Sequence, residues 1–246
     1  MKKLLVIKAG NTLAHLQKKF GDFEKWILDP LNIDAQQAMT RSVHKGESLP
    51  KYEELAGIVI SGSHDMLTDH LPWMEETAQW LKGSVEKQIP ILGICFGHQL
   101  LAYALGGLVE YNPRGAEYGT VPIRFSLVRT HDALFHSLPT QIEVQASHQQ
   151  SVIELPDGAV WLAGSDGDPH QVFRYGPNAW GVQFHPEFNP TIMRAYITEN
   201  AALLNRQGKD PVQIRADCRE TAYGAEILNR FARIVFPDQG SKENTG

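Results

Sequence analysis

The sequence predicts an α/β protein: an open, mostly parallel sheet with helices on both faces and a mixed or antiparallel extension. Three observations carry this. In the N-terminal half, short runs that are apolar throughout alternate with segments of helical period; strands apolar on both sides need both faces covered. Between about Glu117 and Glu187 the pattern becomes short strands separated by turn residues. From Pro190 to Phe236 it becomes helical.

Taken in order, "KLLVIK" (Lys3–Lys8) reads as a first strand, stopped by "AGN". The run is too short for a signal peptide's apolar core. Phe20, Phe23, Ile27 and Leu28 fall at helical spacing, predicting a helix over Phe20–Leu28. "GIVISGS" (Gly57–Ser63) is a buried strand stopped by Gly-Ser. Pro72–Gln88 reads as an amphipathic helix with Pro72 at its start and Met74, Ala78, Leu81 and Val85 on one face. "IPILGI" (Ile89–Ile94) is the next buried strand, and His98–Gly107 an apolar helix ended by Gly106 and Gly107. "TVPIRFSLV", "IEVQASHQQSVIEL", "AVWLAGS", "QVFRYG" and "AWGVQFHP" supply the later strands. In the helical C-terminal part, Leu228, Phe231 and Val235 share one packing face. The expected organisation is one domain over residues 1–236, its helical extension starting at about 207, with a disordered tail over 237–246.

The composition is that of a soluble globular protein, with 246 residues, 42% of them hydrophobic and 21% charged. A net charge of −5 without a basic stripe argues against nucleic acid as the ligand. No apolar stretch approaches the ~20 residues of a membrane span. The two cysteines, Cys95 and Cys218, read as free thiols of a reducing compartment, so the cytoplasm is the expected location.

Chemistry concentrates at "GICFG" (Gly93–Gly97), where a strand hands over to a helix. Such a corner needs small neighbours so that the backbone can pass close by. It projects the side chain beyond the C-terminal edge of the sheet, where ligands bind in open α/β sheets. It also sets the Cys95 thiol at a helix N-terminus, which favours the thiolate, and aims the Phe96 N–H at a developing oxyanion. Read alone, Cys95 is equally a small buried hydrophobe. "GVQFHPE" (Gly181–Glu187) adds His185 and Glu187, two apart and therefore on one side of an extended chain. A carboxylate so placed can orient an imidazole that takes a proton from Cys95; alternatively His185 closes a strand and Glu187 caps a helix. The order nucleophile, histidine, acid differs from that of α/β-hydrolases. "VISGSHDML" (Val59–Leu67) ends a strand in a Gly-Ser loop whose N–H groups can complete an oxyanion hole; by itself it is an ordinary turn.

Together these segments resemble the class I glutamine amidotransferases. "GICFGHQ" is similar to the family's nucleophile motif, "GVQFHPE" to its His-x-Glu motif, and "ASHQQSV" (Ala146–Val152) to the Ser-His segment that lies against bound glutamine. The resemblance implies a three-layer, flavodoxin-like fold and hydrolysis of the glutamine side-chain amide through a Cys95 thioester. It implies Cys95, His185 and Glu187 as catalytic residues, Gly62 or Ser63 with Phe96 as the oxyanion hole, and Gln99, Ser147 and His148 as substrate contacts. It implies no cofactor and no metal, and a synthase as acceptor of the ammonia, such as a GMP-synthase-type partner. The sequence departs from the family in carrying His64 where the oxyanion loop usually has proline, and in lacking the fused synthase domains with their Ser-Gly-Gly-Val-Asp-Ser loop.

Two rival readings stay open. The "SGS" loop also resembles that of γ-glutamyl peptidases, which run the same thioester chemistry on γ-glutamyl peptides or conjugates. A non-catalytic scaffold keeping the fold is the other, against which the complete Cys-His-Glu set speaks. His64–His70 matches no strong metal-ligand spacing and reads as a polar loop. "AGNT" (Ala9–Thr12) lacks a dinucleotide-binding glycine pattern. His131, Asp132, Asp166 and Asp168 resemble helix-start and turn residues, and Cys218 reads as structural. The apolar face of the C-terminal helices serves either the core or a homodimer interface.

Overall fold

A computed structural model describes residues 1–237. Its centre is a nine-stranded sheet of order β2-β1-β3-β4-β11-β10-β9-β6-β7. The parallel part comprises β1 (Lys3–Lys8), β2 (Ala38–Ser42), β3 (Leu55–Ile60), β4 (Ile91–Ile94) and β11 (Ala179–Val182). From β11 the sheet continues antiparallel through β10 (Val172–Tyr175), β9 (Ala159–Gly164), β6 (Glu117–Phe125) and β7 (Gln141–His148). A separate two-stranded sheet pairs β5 (Leu108–Tyr111) with β8 (Gln150–Glu154).

Alternation along β1 makes the layers. Leu4 and Val6 face one core, with α2 (Phe23–Leu31) and α8 (Gly224–Val235); Leu5 and Ile7 face another, with α3 (Pro72–Glu86) and α4 (Phe96–Ala104). All four side chains are fully buried. A third cluster joins α1 (Ala14–Phe20) and the start of α2 to α5 (Pro190–Glu199), α6 (Ala201–Arg206) and α7 (Pro211–Ala216). Helix α8 carries the expected face: Leu228, Phe231 and Val235 are buried in the core below the parallel strands, and the Phe231 ring meets Trp180 edge-on at 6.3 Å.

Several elements differ from expectation. The helix expected over Phe20–Leu28 is two helices, because Gly21 turns the chain at φ 86° and Asp22 caps a new start by accepting the Phe23 N–H. Phe20 therefore ends α1. The long strand expected over Ile142–Leu155 breaks at Gln149 into β7 and β8, which belong to different sheets. Strands β2 and β5 lacked a usable sequence signal: every residue of β2 is half-buried, and only Val109 of β5 is buried. The tail expected from 237 onward lies, apart from Pro237, outside the described residues. Among those residues no helix is long and apolar enough to cross a membrane.

Phe231→Ala is expected to lower stability by about 3–5 kcal/mol, the usual cost of emptying a buried aromatic site. A urea midpoint that falls at unchanged slope is the check; a change under ~1 kcal/mol would show that α8 is not part of the core.

Candidate active site

The C-terminal edge of the parallel strands gathers the singled-out residues. Strand β4 ends at Ile94, and Cys95 takes φ 51° and ψ −103° before α4 begins. A non-glycine residue there is strained by about 1–3 kcal/mol. The flanking glycines make the corner possible. A Cβ on Gly93 would stand 2.4 Å from the Gly97 carbonyl oxygen, and one on Gly97 2.5 Å from that of Ile60. The Cys95 N–H is tied to Val182 O at 2.9 Å, and the thiol lies 3.6 Å from Ser147 O as its donor.

His185 reaches the thiol because β11 runs parallel beside β4, with Val182 opposite Ile94. The chain leaving β11 thus passes the same edge. The His185 N–H is held by Gln145 O at 2.8 Å, and its ring stacks on Phe188 at 3.9 Å. Glu187 Oε1 sits 2.7 Å from His185 Nδ1, with both side chains out of solvent. Burial opposes charge on this ring, yet the Glu187 carboxylate and the Cys95 sulfur push its pKa up to about 10. Nδ1 faces the carboxylate, so Nε2 is the nitrogen free for acid–base work.

The N–H groups of Gly62, Ser63 and Phe96 have no acceptor among the described residues. Gly62 must be glycine, since a Cβ would come within 2.9 Å of His185 Cε1. The side chain of Ser63 accepts the Asp65 N–H at 3.1 Å and closes the loop. His64 stacks face to face on Tyr196 at 5.5 Å, and Tyr196 OH is 2.8 Å from Thr12 Oγ1. Partial burial and the neighbouring His185 hold the His64 pKa below the usual histidine value.

These groups surround a cavity of about 60 Å³, lined among others by Ser63, Cys95, Phe96, Gln99, Ser147 and His185. Larger hollows, of about 540 and 530 Å³, lie at the opposite ends of the strands around Ile89, and neither is lined by a cysteine or a histidine. Chemistry rather than size therefore marks the site. Gln99 donates Nε2 to Gln150 O at 2.8 Å and to Gln183 Oε1 at 3.0 Å, which leaves its Oε1 for a ligand. His148, expected as a ligand contact, also lines the cavity. Its side chain is 1% exposed and both ring nitrogens are engaged by protein acceptors.

Sequence reasoning missed Phe23, Tyr118, Tyr196 and Asn200, which also line the cavity. They come from α2, β6, α5 and the turn after α5, and no local pattern marks them. Asp132 is the structural residue expected: it accepts the N–H groups of Leu134 and Phe135 and pairs with Arg174. Asp168, read from sequence as a turn residue, accepts the His170 N–H and is wholly buried. Cys218 is buried with its thiol on Ile214 O, in keeping with a structural role.

A thiol on a strained strand-to-helix corner thus stands at one sheet edge of an α/β fold with an imidazole held by a carboxylate. The comparisons place it more closely. The family model described as Glutamine amidotransferase class-I matches residues 25–204, and the chain belongs to that family. It is 32% identical over 200 residues to γ-glutamyl peptidase 4 of Arabidopsis thaliana, covering 78% of both chains. It is 35% identical over 153 residues to a subunit of the glutamine-hydrolysing GMP synthase of Methanopyrus kandleri, covering 62% of this chain and 77% of that one. Its fold resembles that of a glutamine amidotransferase from Thermotoga maritima, with TM-score 0.72, 23% identity, and 98% and 99% of the two chains covered.

The raised His185 proton affinity has a definite sign. An ordinary histidine releases its proton near pH 6.5, whereas this one holds it to about 10. The pair's contribution to stability is therefore full below about pH 6.5 and is lost as pH climbs towards 10. Urea titrations between pH 6 and 10 are expected to show stability falling with pH more steeply in the native chain than in Glu187→Gln. Equal slopes would mean that Glu187 does not hold the proton on His185.

Proposed function

We propose that this chain hydrolyses the side-chain amide of glutamine to glutamate and ammonia through a γ-glutamyl thioester on Cys95. The observation that carries the reading is the meeting of Cys95, on its strained corner, with His185 and Glu187 at one sheet edge. The Cys95 sulfur, its proton passed to His185, attacks the amide carbon. The N–H groups of Phe96 and of Gly62 or Ser63 receive the oxyanion. The C–N bond breaks as His185 returns the proton to nitrogen, and ammonia leaves. Water then attacks the thioester, His185 taking its proton; the C–S bond breaks and glutamate departs. Glu187 orients His185 throughout and stabilises its charged form. The ammonia goes to a separate synthase polypeptide, a reading supported by the match to a GMP synthase subunit.

A second reading, hydrolysis of γ-glutamyl peptides or conjugates, is favoured by a specific observation. The general acid must stand at the leaving nitrogen, so any substituent on that nitrogen lies on the His185 side. There the rim holds His64 stacked on Tyr196, with Asn200 beside them. The match to a γ-glutamyl peptidase over 78% of both chains points the same way.

Ammonia release from glutamine, and amine release from a panel of γ-glutamyl dipeptides, are to be measured with the purified chain. Cys95→Ala is expected to reduce either turnover by at least about 10³-fold. Preference for glutamine supports the first reading and preference for dipeptides the second. Turnover by Cys95→Ala within a few-fold of wild type, or a thioester trapped on Cys218, would sink both. Replacing His64 with proline is expected to shift the ratio of dipeptide to glutamine turnover by about ten-fold if the rim contacts the leaving group.

A further inference from the structure

His148 ends β7, wholly out of solvent, with Nδ1 2.9 Å from the Gln150 carbonyl oxygen and Nε2 3.0 Å from Glu117 Oε2. A carbonyl only accepts. The carboxylate also accepts, because two further donors converge on it: Ser165 Oγ at 2.7 Å on Oε1 and Gln171 Nε2 at 2.6 Å on Oε2. With those two donors already on it, the carboxylate stands as acceptor towards Nε2. Both nitrogens of His148 must then carry protons, and the ring is an imidazolium.

A second observation demands a cation at the same place. Asp168 is fully buried, and its Oδ1 accepts the His170 N–H at 2.8 Å. Its Oδ2 has no hydrogen-bond partner among the described residues and lies 3.9 Å from His148 Nδ1. A buried carboxylate oxygen is tolerated beside a positive charge and is costly beside a neutral ring. The His98 ring nearby does not supply that charge. His98 is wholly enclosed, and burial pushes its pKa down to about 3. Although burial works against it, the proton affinity of His148 is raised by the Glu117 bond and by Asp168.

The bonds lead from this cation to the reaction site. The Gln150 carbonyl that takes the His148 proton also takes Gln99 Nε2 at 2.8 Å. The Gln150 side chain accepts the Leu67 N–H at 2.9 Å and donates to Thr68 Oγ1 at 2.6 Å, just beyond the loop carrying Gly62 and Ser63. Ser147, adjacent to His148, presents its carbonyl to the Cys95 thiol. We propose that His148 is a permanently protonated positioning residue. Clamped by Glu117, Asp168 and the Gln150 carbonyl, it holds the cavity wall, Gln99 and the oxyanion loop in register with Cys95. The kinetic half of this inference rests on the hydrolase reading; the protonation half does not.

The test is nitrogen NMR of the full chain labelled with 15N-histidine, in a His185→Ala background that removes the other strongly proton-retaining ring. Near pH 8 the ring assigned to His148 through its Cβ is expected to carry two protons, and in Glu117→Gln only one. A singly protonated His148 in the background protein overturns the proposal. The second arm restores His185. Glu117→Gln and His148→Gln are expected to lower kcat by about ten-fold on whichever γ-glutamyl amide is turned over, with KM changed less than about three-fold, because the oxyanion contact belongs to the transition state. Gln150→Leu keeps the cation but cuts its link to Leu67 and Thr68, so kcat is expected to fall while the doubly protonated signal persists. This variant serves if the other two fail to fold. Unchanged kcat, or a loss confined to KM, overturns the positioning role. If no γ-glutamyl amide is turned over at all, the hydrolase reading fails, and the NMR arm still decides the state of His148.

Discussion

The arrangement depends on one strained residue. Cys95 sits at positive φ between a strand and a helix, in a conformation that side chains avoid at a cost of about 1–3 kcal/mol. What overrides that preference is burial on both sides of the corner. Ile91, Leu92 and Ile94 before it, and Leu100 and Leu101 after it, are fully enclosed, and each such side chain contributes about 1.5–3 kcal/mol when removed from water. The corner cannot relax without pulling β4 or α4 out of the core. The same packing explains Gly93 and Gly97: they are where the α4 backbone lies directly against β4 and β3, leaving no space for a Cβ. Cys95 is thereby presented at a helix start, with the Phe96 N–H beside it.

Much of this was legible in the sequence because the governing interactions are local or repeat with a short period. Strands β1, β3 and β4 read as apolar runs since both faces are covered, and α3 showed its buried stripe. The residues meeting at the cavity sit on adjacent strand ends, so two short motifs marked Cys95, His185 and Glu187. What failed was set by long-range packing. The mixed polarity of Ala38–Ser42 is as fitting for a loop as for a strand, and β2 forms there only because β1 offers it an edge on which its residues are half-buried. The break between β7 and β8 is a single residue, Gln149, in a run of uniform strand character. Phe20 shares the helical spacing of Phe23 and Ile27, but the intervening Gly21 and the capping side chain of Asp22 outweigh it.

His148 shows a different limit. The motif marked the segment, and the segment does line the cavity. A sequence does not say what a ring bonds, and here both nitrogens are taken by protein acceptors. Its partner Glu117 is opposite it in the β6–β7 register, yet 31 positions distant in the chain. Only sheet topology brings them together, and only the further approach of Ser165, Asp168 and Gln171 makes the pair ionic rather than a neutral hydrogen bond. A buried charge so enclosed is a poor source of net stability, because desolvation offsets most of the attraction. Its physical value lies in direction: two N–H groups in a rigid ring set the position of two acceptors at once.

The Cys95 corner and the rim of its cavity are therefore held by different parts of the molecule. Cys95 stands at the end of β4, His185 on the chain leaving β11, and Gly62 and Ser63 on the loop after β3, all anchored in the parallel sheet. The rim on the His185 side is built from His64 and from α5, whose Tyr196 is tied to Thr12 beyond β1. Change at this rim leaves the sheet edge intact, whereas change at Gly93 or Gly97 does not. A proline in place of His64 would remove the ring that stacks on Tyr196, without touching the Gly62 N–H or the Cys95 corner. The His64–Tyr196 stack thus bounds the cavity without taking part in the packing that fixes the Cys95 corner.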